Sequence, residues 1–220
     1  MRKIMVGVLA MAALGLAGWV LSPRATPEAA ATDGYLVLAV SWTPSWCASE
    51  GDDRKAARCA PGAGAGWLVH GLWPQHDSGG WPEFCPTDHP TPTSANLRAM
   101  EDIMGASGLA AHQWRKHGSC TNLAPAQYFE QTRRAFAALD FPPSLRAEGR
   151  AQRIRPDDLM AEFRAANPGI GPDMAVLTCR AGQAQELRLC LRHDLTPRRC
   201  DDALLARACR AGQVELPALR

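Results

Sequence analysis

The stretch YLVLAVSW, residues 35–42, decides the fold class of this chain. It is almost continuously apolar and contains β-branched and aromatic residues, a pattern typical of a buried strand. Gly, Ala and Pro dominate residues 60–66, which predicts a loop, and a short strand is predicted from Trp67 to His70. Residues 75–93 are rich in Pro, Gly and Asp, so they are predicted to be irregular.

Helices and further strands follow along the chain. Capping and proline signals predict three helices, at Ser94 to about Met104, at Pro125 to about Leu139, and from Pro156 to the Asn-Pro-Gly sequence at 167–169. Two strands are predicted after them, at Met174–Cys179 and Glu186–Asp194. In the second strand Leu187, Leu189 and Leu191 share one face. Strands, then helices, then strands, without a βαβ rhythm, indicate an α+β fold with a mainly antiparallel central sheet and packed helices.

The N-terminal segment has the layout of a secretory signal. Arg2 and Lys3 precede an apolar run from Ile4 to Leu21, and a Pro- and Ala-rich stretch follows. We expect a signal peptide over residues 1–31, with cleavage after small residues at 29–31 or 15–17, and one domain over residues 32–220. An uncleaved membrane anchor is the alternative, because 18 apolar residues just suffice to span a bilayer. Export to the periplasm or the cell exterior is expected, with no membrane attachment once the signal is removed.

All eight cysteines follow the predicted signal, and their number is even. In an exported protein this predicts four disulfides, although eight cysteines allow roughly a hundred pairings. No C-x2-C pair occurs, which argues against a zinc site. The charge of +2 comes from the predicted signal segment, so the remaining chain has equal numbers of acidic and basic residues. That balance argues against a stable nucleic-acid complex and leaves either local, transient polyanion binding or none at all.

The segment HQWRKHGSC, residues 112–120, carries a cluster of polar side chains. On a helix, Gln113 and His117 form one i,i+4 pair, His112 and Lys116 form a second pair beside it, and Arg115 points away. The two histidines are five residues apart, whereas the familiar zinc helix places them at i,i+4. We predict that Gly118 caps this helix and that a disulfide at Cys120 holds its end. The alternative is an exposed polar helix with incidental histidines.

A second segment, WLVHGLWPQH at residues 67–76, favours an acid-base site over an exposed polar helix. His70 stands at the predicted end of a strand with Trp67 and Trp73 on either side, and the alternative for it is a hydrogen-bonded core histidine. Two histidines and a lysine from separate elements fit phosphodiester transesterification. One imidazole takes a proton from a hydroxyl, the other protonates the leaving oxygen, and the lysine stabilises phosphoryl charge. RNA supplies its own nucleophile, the 2′-hydroxyl, so neither a metal nor another cofactor is expected.

The sequences His-Gly-Leu-Trp-Pro at 70–74 and His-x-Trp-x-Lys-His-Gly-x-Cys at 112–120 resemble the two active-site signatures of the ribonuclease T2 family. These are secreted, acid-tolerant endoribonucleases with an α+β fold. The run Leu38–Trp42 through Cys47 and the spacing of the last four cysteines are also similar to that family. The resemblance implies the pairs Cys47–Cys59, Cys85–Cys120, Cys179–Cys209 and Cys190–Cys200.

The resemblance also implies a role for each site residue. His70 would be the general acid for the 5′-oxygen, and His117 the general base for the 2′-hydroxyl. His112 would bind phosphate, Lys116 would stabilise the phosphorane, and Trp67 and Trp73 would form walls of the site, either by base stacking or by packing in the core.

One position departs from the family signature, because Gln113 stands where glutamate is expected. A carboxylate there would raise the pKa of His117 and hold its tautomer, whereas an amide supplies no charge.

The sequence therefore predicts a monomeric, metal-independent endoribonuclease acting on single-stranded RNA, weakened or with an altered pH optimum. The products would be 2′,3′-cyclic phosphates and then 3′-phosphates. One alternative is a catalytically impaired RNA-binding or inhibitory protein on the same scaffold, and another is a metal-dependent hydrolase.

Overall fold

The structure is a computed structural model that describes residues 34–220. The predicted signal peptide lies outside the described residues. Within them, six strands form one sheet: β1 Tyr35–Trp42, β2 Trp67–Gln75, β3 Gln152–Ile154, β4 Ala175–Arg180, β5 Gln183–Leu191 and β6 Val214–Leu216. The order is β2-β1-β5-β6-β3, with β4 also paired to β5. None of the helices in this range is long and apolar enough to cross a membrane.

Strand β1 is a buried, interior strand of the sheet, as its apolar sequence predicts. It pairs antiparallel with β2 along one edge and with β5 along the other. Its even-numbered residues, such as Leu38, enter the main core, and Tyr35 and Val37 enter a smaller cluster on the opposite face. Both faces are buried, which is why the sequence is apolar without alternation. Only one residue pair, Gln183 with Glu215, is parallel, so the prediction of a mainly antiparallel sheet is confirmed.

Helices in the described range pack mainly against one face of this sheet. They are α1 Thr43–Trp46, α2 Ser94–Arg98, α3 Glu101–Met104, α4 Ser107–Lys116, α5 Pro125–Ala137, α6 Pro156–Ala166 and α7 Asp202–Leu205. Side chains of α3 to α6 and of the sheet form the main core. The α+β fold class is confirmed. The single helix predicted over residues 94–104 is wrong, because the chain breaks after Arg98 and turns so that Met100 and Met104 are buried.

Strand β2 is longer than predicted, and it contains a bulge at His70. Ala39 of β1 pairs with Gly71, and Val40 pairs with Val69, so His70 has no partner on β1. A bulge inserts one extra residue and shifts the alternation of side chains between the two faces. Val69 and Leu72 both enter the main core, and His70 and Trp73 therefore share the opposite face.

Strand β5 lies three residues earlier than its predicted span. It ends at Leu191 because the side chain of Asp194 accepts a hydrogen bond from the Thr196 backbone (2.8 Å) and forms a turn. The predicted alternation holds, since Leu187, Leu189 and Leu191 enter the main core.

Four disulfides complete the domain, and they join the same pairs that the family resemblance implies: Cys47–Cys59, Cys85–Cys120, Cys179–Cys209 and Cys190–Cys200.

Candidate active site

A cleft of about 270 Å³ opens where β2, β5 and the end of α4 meet. Six of the predicted site residues line it: His70, Trp73, His112, Gln113, Lys116 and His117. The indole of Trp73 contacts both acid-base candidates, with ring centroids 5.2 Å from His70 and 5.5 Å from His117. A second cleft, of about 760 Å³, lies on the other side of His70 and His112. The histidines therefore stand between two grooves.

The imidazole of His70 is bound to a carboxylate that the sequence analysis did not single out. Its Nδ1 lies 2.8 Å from Oε1 of Glu186, which is only 4% exposed. The same carboxylate accepts hydrogen bonds from Ser41 Oγ (3.0 Å) and from Arg188 Nε (2.7 Å). Burial raises the pKa of Glu186, but the hydrogen bond and charge of His70 and the charge of Arg188 outweigh it and lower the pKa to about 2.

The sequence contained one signal for this residue. Glu186 alternates with Leu187 and Leu189 of β5, so it lies with Arg188 on the face opposite the core. A charged residue in the middle of a buried strand requires a partner. What the strand pattern could not show was that the partner is His70, because the bulge in β2 determines where that ring points.

His117 directly follows α4 and is 6% exposed. Its ring Nδ1 is buried and has no hydrogen-bond partner within residues 34–220. Burial, followed by the positive charges of Lys116 and His70, lowers the pKa of His117 to about 4. An imidazolium needs acceptors for two N–H groups, so the ring is neutral above about pH 4 and can accept a proton.

Gln113 is 2% exposed, and its side chain faces Trp73. The amide Oε1 accepts a hydrogen bond from the Trp73 indole Nε1 (2.8 Å). Gly71 allows this contact, since a Cβ at that position would overlap both the amide oxygen and the indole nitrogen. No hydrogen bond joins the Gln113 amide to the His117 ring among the described residues, so this side chain does not orient the ring directly.

Lys116 forms an ion pair with a residue of the loop that follows β2. Its Nζ lies 3.3 Å from Glu83, and the same carboxylate accepts a hydrogen bond from the indole of Trp81 (3.3 Å). Hydrogen bonds from Trp81 and Lys116 lower the pKa of Glu83. Burial, followed by the charges of Arg115 and Lys116, lowers the pKa of His112. The lysine is thus positioned at the cleft with its charge partly balanced.

The structure decides two sequence expectations near the site: of the two placements left open for Trp67, packing in the core is the one observed, and the expectation that Gly118 caps α4 is wrong. Trp67 lines neither cleft; it is 7% exposed, donates a hydrogen bond to Leu145 O (2.7 Å) and stacks on Phe141 in the core. It faces the core because it lies before the bulge, two residues from Val69. Gly118 is not a helix cap, because α4 ends at Lys116 and a short helical turn, Gly118–Cys120, follows. Gly118 is needed for packing instead, because a Cβ at this position would overlap the ring of Trp114.

Comparison with known proteins agrees with this fold. The model of the ribonuclease T2 family matches residues 33–200, so the chain belongs to that family. A probable ribonuclease of Haemophilus influenzae is 31% identical over 145 residues, covering 61% of this chain and 50% of that protein. A ribonuclease of Aeromonas hydrophila is 30% identical over 130 residues, covering 59% of this chain and 55% of that protein. The chain therefore spans about half the length of these two relatives.

Solved structures show the same fold at low sequence identity. Trichomaglin, described as an S-like ribonuclease, has a TM-score of 0.66 at 20% identity, over 86% of this chain and 100% of that chain. An RNase-related protein from Calystegia sepium has a TM-score of 0.65 at 17% identity, over 84% and 98% of the two chains. A mutant of RNase MC1 in complex with 5′-UMP has a TM-score of 0.62 at 19% identity, over 83% and 98%.

Proposed function

We propose that this chain is an endoribonuclease that cleaves single-stranded RNA by attack of the 2′-hydroxyl on the neighbouring phosphorus. One observation carries the proposal: two imidazoles in different electrostatic settings, His70 on a carboxylate and neutral His117, flank one indole beside Lys116. Two titratable groups whose environments differ in this way are suited to act as acid and base. A phosphodiester placed in the cleft of about 270 Å³, which both rings line, would have both within reach.

In the first step, His117 takes the proton of the 2′-hydroxyl, and the 2′-oxygen forms a bond to phosphorus. The bond from phosphorus to the 5′-oxygen breaks, and His70 donates a proton to that oxygen. Lys116 and His112 lie at the cleft, where they would stabilise the charge on the phosphoryl oxygens. The product is a 2′,3′-cyclic phosphate, which water opens to a 3′-phosphate with the two histidines in reversed roles. All protons are exchanged by side chains of this chain, so the proposal includes no metal.

The remaining features of the proposal concern the whole protein. We propose export to the periplasm or the cell exterior with residues 1–31 as signal peptide, and a monomer composed of the domain at 32–220. Four disulfides are consistent with an oxidising compartment. RNA would bind transiently, because the charge of this domain is balanced.

The test is digestion of a single-stranded RNA oligonucleotide with EDTA present, at pH values from about 4 to 8, with the products resolved by mass spectrometry. We expect cyclic phosphates that convert to 3′-phosphates, and no cleavage where a deoxynucleotide removes the 2′-hydroxyl. His117→Ala is expected to lower the rate about 10²- to 10⁴-fold, the range for loss of an acid-base group. His89→Ala is the matched control, because this histidine lies outside both clefts.

Three outcomes contradict the proposal in different ways. Folded protein that binds RNA but releases no cyclic phosphate would favour the impaired RNA-binding alternative. The reason for considering that alternative is that Gln113 stands where the family has a carboxylate. Loss of activity on adding EDTA would favour a metal-dependent hydrolase. Equal rates for His117→Ala and His89→Ala would remove His117 from the role of base.

A further inference from the structure

The carboxylate missing at Gln113 has a counterpart on the other side of the site. We propose that Glu186 is a positioning residue for catalysis: it holds the ring of His70 with Nδ1 protonated, so that Nε2 is the nitrogen that donates and recovers the catalytic proton. The assignment rests on the proposed ribonuclease function, and it concerns how one histidine is prepared for its step.

The carboxylate itself is held in one orientation. Glu186 lies on the central strand β5 directly opposite Ser41 of β1, in a part of the sheet where the backbone is fixed on both sides. Its Oε1 contacts Ser41 Oγ and His70 Nδ1, and its Oε2 accepts from Arg188 Nε. Hydrogen bonds to an ionised acceptor are about twice as strong as neutral ones. Three donors on a side chain that is 4% exposed leave the carboxylate little freedom to turn away from the histidine.

This geometry determines the tautomer of His70. An ionised carboxylate can only accept hydrogen bonds, so the contact of 2.8 Å requires a proton on Nδ1. The low pKa of Glu186 keeps it ionised throughout the neutral and mildly acidic range. Nε2 is then the nitrogen that gains and loses a proton. When it protonates the 5′-oxygen, the ring becomes a neutral imidazole that still donates from Nδ1 to Glu186. In the second step Nε2 takes a proton from the attacking water, and Glu186 stays ionised throughout.

The surroundings explain why a carboxylate is needed there. The charged and titratable groups that line the two clefts with His70 come from β5, from the end of α4, from the segment around α7 and from the walls of the second cleft: Glu186, Arg188, His112, Lys116, His117, Asp201, Arg207, Glu50, Arg54, Arg58 and Arg180. Cations predominate in this set. Glu50 forms ion pairs with Arg54 and Arg180, so its charge is shared with them. Within residues 34–220, Glu186 is the carboxylate in hydrogen-bond contact with the ring.

The experiment compares the wild type with Glu186→Gln, which keeps the shape of the side chain and removes its charge. We expect kcat on an RNA oligonucleotide to fall about 10²-fold or more, with KM changed less than about threefold, because the defect concerns proton donation. A general acid limits the alkaline side of the pH profile, so that limb should move to lower pH by about one unit. Glu215→Gln is the matched control, since it changes a glutamate on β6 that lines neither cleft.

A second readout does not depend on RNA cleavage. In ¹⁵N-labelled protein, long-range correlation spectra of the imidazoles report which ring nitrogen carries hydrogen. We expect His70 to carry hydrogen on Nδ1 in the wild type and in Glu215→Gln, and to lose this fixed state in Glu186→Gln. Glu186→Asp keeps the charge but places it farther from the ring, so its alkaline limb should lie between those of the wild type and Glu186→Gln. If Glu186→Gln does not fold, the pH profile and the spectra are measured on Glu186→Asp instead.

The outcomes separate this inference from the proposed function. A wild-type protein that cleaves no RNA overturns the proposed function, and the spectra still decide the tautomer. Active wild type with an unchanged alkaline limb and unchanged His70 spectra in folded Glu186→Gln overturns the inference. A loss of kcat without either change would mean that Glu186 only joins β5 to β1, and this result also overturns it.

Discussion

Replacing Gln113 by glutamate should move the acid limit of RNA cleavage upward. In the proposed mechanism the reaction needs neutral His117, whose pKa burial lowers to about 4, so the rate should fall below that pH. Gln113→Glu would retain the acceptor for the Trp73 indole, which lies 2.8 Å from the present amide oxygen. The substitution therefore adds a negative charge with little change of shape.

The size of the effect follows from the geometry. Trp73 contacts both side chains, with its Nε1 2.8 Å from the Gln113 amide oxygen and its ring centroid 5.5 Å from that of His117, so the new charge would be roughly 6–8 Å from the imidazole. With an effective dielectric constant of about 20, attraction between unit charges at that distance is on the order of 2 kcal/mol. One pH unit corresponds to about 1.4 kcal/mol, so the acid limb should move from near pH 4 to between about pH 5 and 6.

The assay is the pH dependence of kcat/KM on a fluorogenic RNA oligonucleotide with EDTA present. Gln213→Glu serves as the control, because Gln213 is exposed and lies outside both clefts. The reasoning is refuted if folded Gln113→Glu keeps the wild-type acid limb, or if Gln213→Glu moves it equally. In the first case Gln113 is not electrostatically coupled to the base.

Two further predictions concern stability. Gly71→Ala should separate the Gln113 amide from its indole donor and lower the free energy of unfolding by about 1–3 kcal/mol. Gly108→Ala is the control, because a Cβ at that position meets nothing within 4 Å. Equal denaturation midpoints for the two variants would contradict this prediction. Acid should destabilise the fold in two windows, because the pKa values of both His117 and Glu186 are lower in the folded chain than in the unfolded one. Stability should be lost from about pH 6.5 to 4 through His117, and from about pH 4.5 to 2 through Glu186, the latter on the order of 3 kcal/mol. Unfolding in urea at a series of pH values measures both, and a lower window that persists in Glu186→Gln would contradict the assignment.

The composition of local segments was enough to predict several parts of this protein. The apolar run at residues 35–42 predicted a buried strand, and it is β1, which lies between β2 and β5 and is buried on both faces. The spacing of residues 112–117 placed Gln113, Lys116 and His117 together because helical geometry depends on sequence separation alone. Each of these features is local, so a sequence read in isolation contains it.

Tertiary structure decided the contacts that give the site its chemistry. A bulge, set by pairing between β1 and β2, moved His70 and Trp73 to the same face while Trp67 remained in the core. The partner of His70 is 116 residues away on another strand, and the partner of Gln113 is 40 residues away. Sequence periodicity predicts the face of a side chain only within a regular strand, whereas the pairing between strands decides where a bulge falls and which atoms meet.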